Sequence, residues 1–154
     1  MPEDYDVAAA IPHFTGIFNR KAARHLQIFN NINNKIANIK KPIKNNKALV
    51  IGGGAIGLLS GLILSKAKNC KDITIVDPNN KRLGECAKYL DARPVNPDSK
   101  SIIDDHFDIV FDTVGLEITR QQAIKSIKAG GIIIHIGLTQ SSGSFDFRKA
   151  TLQE

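Results

Sequence analysis

Three glycines and one aspartate are the residues of this sequence best placed to do chemistry. Gly52, Gly54 and Gly57 follow the order G-x-G-x-x-G within residues 48–59, ALVIGGGAIGLL. Asp77 stands twenty residues beyond Gly57 and closes the run ITIVD. Glycines at this spacing allow a sharp exit from a strand, approach of a pyrophosphate to bare backbone, and close packing of the helix that follows. The N–H groups of Ala55 and Ile56, in the first helical turn, would face that anion together with the positive end of the helix dipole. A carboxylate at the tip of the next strand can accept hydrogen bonds from an adenosine ribose. It would also repel a 2′-phosphate, which favours NAD over NADP. Lys81 and Arg82 stand nearby, however, and an arginine can accommodate that phosphate. Two plainer readings compete: a turn that only joins strand to helix, and an aspartate that only N-caps the next helix ahead of Pro78. No lysine follows the loop as in G-x-x-x-x-G-K-S/T, which argues against a nucleoside-triphosphate loop.

These residues need a strand before the glycines and a helix after them, and the apolar pattern supplies both. Residues 47–51 read as a short continuous apolar strand, and residues 55–66 as a helix with Ile56, Leu59, Ile63 and Leu64 on one side. A second strand over 73–76 and a helix over 80–90 follow. Arg93, Pro94 and Val95 suggest a short third strand, which the proline places at an edge or a strand start. Further strands are expected over 107–111 and 131–136, with a helix over 117–127 between them. Strands without polar alternation, separated by helices, indicate a parallel sheet covered on both faces. Right-handed crossovers make this a doubly wound α/β fold. Asp112 to Gly115 and Gly137 to Thr139 then fall at carboxyl ends of strands, where such sheets bind ligands.

Residues 1–46 read differently. Ile17, Ala22, Leu26, Phe29, Ile32, Ile36 and Ile39 recur at helical spacing before Pro42, Asn45 and Asn46 end the pattern. The expected organisation is a helical connector over 1–46 and a dinucleotide-binding domain over 47–154. The net charge of +6 is concentrated early: Arg20, Lys21, Arg24, Lys35, Lys40, Lys41, Lys44 and Lys47 occur with no acidic residue among them. A basic arm can bind polyanions. The many asparagines between those lysines favour a solvated segment, so no nucleic acid is expected as a partner. At 154 residues the chain suits one domain with a real core. No apolar run approaches a membrane span, and MPEDYDVAAA lacks the features of a signal peptide. Cys70 and Cys86 have no metal-type spacing, so a reduced, cytoplasmic setting is expected. His13, His25, His106 and His135 are scattered. Mid-strand His135 reads as a satisfied core or interface residue, and Asp104 and Asp105 read as solvated loop or capping groups.

In their order and spacing, ALVIGGGAIGLL, ITIVDPNNKRL, FDIVFDTVG and AGGIIIHIGL resemble the cofactor domain of medium-chain dehydrogenases/reductases. This is the superfamily of zinc-type alcohol, polyol and threonine dehydrogenases. The resemblance covers residue 47 to the end, and MPEDYDVAAAIPHFTGIF is more faintly similar to the stretch that precedes that domain. It implies a Rossmann fold in which Gly52, Gly54 and Gly57 form the phosphate turn and Asp77 holds the adenosine ribose, with Arg82 flanking ribose or adenine. Thr113 and Val114 would line the cofactor cleft, and backbone groups of Ile136 and Leu138, around Gly137, would hold the nicotinamide carboxamide. In the family, NAD accepts a hydride from an alcohol carbon while zinc polarises the oxygen.

Against that family pattern, the zinc-bearing catalytic domain is absent from this sequence. Two cysteines cannot build a four-cysteine zinc lobe, and apolar Ile11 stands before Pro12 where many relatives have a glutamate. FDFRKATLQE looks like the approach to a sixth strand, so the sheet is expected to be truncated before it. The implied protein is an NAD(H)-binding portion, truncated or split, with no catalytic residue and no zinc ligand of its own. A separate chain carrying the catalytic domain, or a homo-oligomer, would be its partner. A non-catalytic NAD(H)-sensing or interaction module is the alternative.

Overall fold

The computed structural model describes residues 46–144, together with residues 27, 30–34, 37 and 38 of the earlier segment. The chain divides into two compact units, Met1–Lys40 and Lys41–Glu154. In the first unit, Gln27, residues 30–34 and Ala37 are helical. The rest of the expected connector, His13, His25 and the FDFRKATLQE segment lie outside the described residues.

The second unit is built on five strands: β1 (Lys47–Ile51), β2 (Asp72–Val76), β3 (Arg93–Val95), β4 (Phe107–Asp112) and β5 (Ile127–His135). All pair in parallel, in the order β3-β2-β1-β4-β5. Helices α1 (Ala55–Leu62), α2 (Asn80–Ala87) and α3 (Glu117–Ser126) make the crossovers. The order reverses direction at β1, so right-handed connections send α1 and α2 to one face and α3 to the other. This explains why Leu49, Val50 and Ile51 are all buried although successive side chains point to opposite faces. Phe107 and Phe111 anchor the core from β4, each burial stabilising by roughly 1.5–3 kcal/mol. Pro94 lies on β3, at an edge of the described sheet, where a missing N–H costs least.

Three elements depart from the sequence expectation, the smallest departure being α2, which ends at Ala87 rather than at residue 90. The helix expected over 55–66 stays α-helical only to Leu62 and then widens into a π turn, Ile63–Ala67. The Lys68 N–H reaches back five residues to the Ile63 carbonyl at 3.1 Å. Widening turns the adjacent Ile63 and Leu64 inward together, and both are buried. Strand β5 begins earlier than expected. Ile127 pairs with Phe107, the chain breaks register through the residues up to Gly131, and Ile132 resumes pairing opposite Ile109. Gly130, at φ 68°, makes that break possible.

Candidate functional site

Strand β1 is the point where strand order reverses, and the glycine bend leaves its carboxyl end. Gly52 adopts φ +106° and its N–H donates to the Val76 carbonyl at 2.7 Å. A side chain there would strike Thr113 Oγ1 at 2.5 Å and Val114 Cγ2 at 2.8 Å. Thr113 is turned under the bend, with Oγ1 donating to the Ile51 carbonyl at 2.8 Å. It therefore braces the loop. Gly57 lies against the Gly52 carbonyl so closely that no Cβ would fit. Helix α1 is thus packed on the bend itself, a tighter contact than packing on the sheet alone. Above Gly54 the situation is reversed, because a Cβ would meet nothing within 4 Å. No side chain caps the N-terminus of α1. Its first N–H groups, those of Ala55 and Ile56 among them, are left for an outside acceptor.

Asp77 closes β2 and is 3% exposed. Its Oδ2 accepts the Gly53 N–H at 2.8 Å, and its Oδ1 accepts the Asn79 N–H at 2.8 Å. The carboxylate thus faces the glycine bend. Asn79 is the N-cap of α2, its Oδ1 accepting the Lys81 and Arg82 N–H groups at 3.0 and 3.3 Å. Asp77 is free of that duty. A carboxylate offers about four lone-pair positions, and two remain for hydroxyl donors. Arg82 Nη1 stands 3.6 Å from Oδ2, with its side chain largely exposed. Water screens such a pair, which contributes little by itself.

The β4 and β5 loops meet backbone to backbone. Gly115, at φ +78°, and Gly137 are pressed so close that a Cβ on either would collide with the other's main chain. Ile136 and Gly137 both donate their N–H to the Asp112 carbonyl, at 2.9 and 3.0 Å. Neither the Ile136 carbonyl nor the Leu138 N–H has a hydrogen-bond partner among the described residues, and Leu138 is 92% exposed. Asp112, fully buried, accepts the Val114 and Gly115 N–H groups at 3.1 and 2.9 Å and the His135 Nδ1–H at 3.1 Å. Burial pushes its carboxyl up, but the bonds from His135, Gly115 and Val114 outweigh that and hold it below its ordinary value. His135 is accordingly satisfied, as expected, but it ends β5 with its side chain 35% exposed and is no core residue.

The fold therefore brings the three glycines, Ala55, Ile56, Asp77, Arg82, Thr113, Val114, Ile136, Gly137 and Leu138 to the carboxyl ends of the strands. Sequence reasoning missed Gly53, Asn79 and the Asp112–His135 pair. Only the pair left a signal, an aspartate and a histidine ending neighbouring strands. Gly53 occupies a variable position of the glycine pattern, yet a Cβ there would stand 3.2 Å from that of Asp77. Zinc, which the family implies, finds no fit: among the described residues no three His, Cys, Asp or Glu side chains come together as ligands. No helix among them is long and apolar enough to cross a membrane.

A five-stranded parallel sheet with this order, carrying a glycine bend and an acidic strand tip at its switch point, is a Rossmann-type nucleotide-binding domain. The model of the zinc-binding dehydrogenase family matches residues 55–154, and the chain belongs to that family. A curated relative from Saccharomyces cerevisiae, "Probable diacetyl reductase [(R)-acetoin forming] 2", is 36% identical over 103 residues, which cover 59% of this chain and 24% of the relative. The structure of 2R,3R-butanediol dehydrogenase from Bacillus subtilis superposes with a TM-score of 0.72 at 21% identity, over 82% of this chain and 38% of that one. Acetophenone reductase from Geotrichum candidum NBRC 4597, solved in complex with NAD, gives a TM-score of 0.67 at 21% identity over 79% and 35%. Another structure of the same fold is bound to NADP. The chain spans less than two fifths of the length of each relative described.

Proposed function

We propose that this chain is the NAD(H)-binding portion of a zinc-type, alcohol dehydrogenase-like oxidoreductase. The observation that carries this reading is the Asp77 carboxylate bonded to the Gly53 N–H at 2.8 Å, beside open space over Gly54. One arrangement offers acceptors for a ribose diol and bare backbone for a pyrophosphate. Gly52, Gly54 and Gly57 shape the phosphate turn, and the Ala55 and Ile56 N–H groups supply its donors. Asp77 holds the adenosine ribose, with Arg82 at its flank. Thr113 and Val114 bound the cleft, and the Ile136 carbonyl and Leu138 N–H, either side of Gly137, hold the carboxamide. Bound NAD would supply a nicotinamide able to accept a hydride from an alcohol carbon. No zinc-ligand set lies among the described residues, so the zinc of the family's reaction would be held outside them.

NAD is favoured over NADP because a 2′-phosphate would sit against the buried Asp77 charge. Calorimetric titration of the chain with NADH and NADPH tests this. NADH should bind the more tightly, and Asp77→Asn should weaken NADH roughly ten- to a hundredfold, the worth of hydrogen bonds to a charged group, while narrowing the preference. Equal NADH affinity in wild type and variant would remove the ribose assignment. Alcohol oxidation by the chain alone would overturn its reading as a cofactor-binding portion. A homo-oligomer that responds to NADH without turnover would favour the sensing module.

A further inference from the structure

Helix α2 buries two side chains, Leu83 and Cys86, at a spacing that puts both on its inner face. Leu83 is ordinary core. Cys86, 2% exposed, points its Sγ at the Gly53 carbonyl, 3.4 Å away. Gly53 is thereby held from both sides, its N–H by Asp77 Oδ2 at 2.8 Å and its carbonyl by the thiol. The Cα between them is wedged, since a Cβ there would stand 3.2 Å from Asp77 Cβ and 3.5 Å from Arg82 Cβ.

A trans peptide is planar, with its C=O and N–H pointing in opposite directions. Drawing the Gly53 carbonyl inward to α2 therefore turns the Gly54 N–H outward. That N–H has no acceptor among the described residues, and Gly54 is the glycine with open space above it. We propose that Cys86 is a positioning residue for the dinucleotide: its thiol orients the Gly53–Gly54 peptide so that the Gly54 N–H is presented to the pyrophosphate. This rests on the cofactor reading above and adds a contribution from outside the glycine pattern. Burial, then the nearby Asp77 and Glu85 charges, push the Cys86 thiol up, so it stays a donor at neutral pH.

The test compares NADH affinity by calorimetry for the full chain, Cys86→Ala and Cys86→Ser, with thermal melting as the measure of folding. Cys86→Ala should bind NADH about three- to tenfold more weakly, the worth of one hydrogen bond. Cys86→Ser, which keeps a donor, should recover affinity to within about twofold. Unchanged affinity in Cys86→Ala would overturn the proposal, as would a serine variant as weak as the alanine. A wild-type chain that binds no NADH would instead remove the cofactor reading, and this one with it. A second measurement needs no variant. Alkylation by N-ethylmaleimide should slow at Cys86 when NADH saturates the chain. It should slow less at Cys70, whose Sγ bonds the Asn46 carbonyl at 3.1 Å, at the opposite end of the strands. Equal rates at Cys86 with and without NADH would contradict it.

Discussion

Gly54 and Gly57 stand in one turn, yet an added methyl group would meet opposite fates at the two positions. At Gly57 it would be driven into the Gly52 carbonyl; at Gly54 it would enter empty space. Gly57→Ala should therefore destabilise the fold, by about 1–3 kcal/mol from overpacking, as thermal melting would read. Gly54→Ala should leave the melting temperature nearly unchanged and still weaken NADH binding. Loss of both properties in both variants would deny the separate duties assigned to these glycines. Asp112 supports a prediction about pH. Its carboxyl is held below its ordinary value when folded, so the unfolded chain binds the proton more readily. Its contribution is complete above about pH 4, the unfolded value, and is lost as pH falls through the lower folded value. Asp112→Asn should cost about 1–3 kcal/mol at neutral pH and flatten the acid limb of stability, measured by denaturant titration at several pH values.

At the scale of elements, α2 is held at its start by Asn79 rather than by Asp77. Asn79→Ala should cost about 1 kcal/mol in thermal melting and weaken NADH modestly, since the loop around Asp77 shares that frame. Strand β1 was legible to the residue, because an unbroken apolar run meets three glycines. The short β3 was legible as an edge or a strand start because Pro94 cannot donate to a ladder, and it is the edge. The π turn was not, since Ile63 and Leu64 satisfy an α-helical pattern equally well and only tertiary packing widens the turn. Nor was the early start of β5, where pairing of Ile127 with Phe107 overrides the glycines that follow. In the site, Asp77 and its glycines could be read from spacing, whereas Asn79 and Gly53 acquire their roles only through contacts to Asp77 and α2.

For the whole molecule, the order of strands governs when the site can exist. Thr113 bonds the Ile51 carbonyl across 62 residues of sequence, and Val114 closes over Gly52 from the same turn. The glycine bend lacks these contacts until β4 has docked beside β1. Closing a loop of that length is entropically costly and slows folding. In stopped-flow refolding, recovery of NADH fluorescence should accordingly lag behind recovery of helical circular dichroism, and simultaneous recovery would count against this sequence of events. On a ribosome the consequence is sharper: a nascent chain that has emerged only as far as Asp77 carries the glycine bend and the carboxylate facing it, but not the Thr113 and Val114 that pack against the bend.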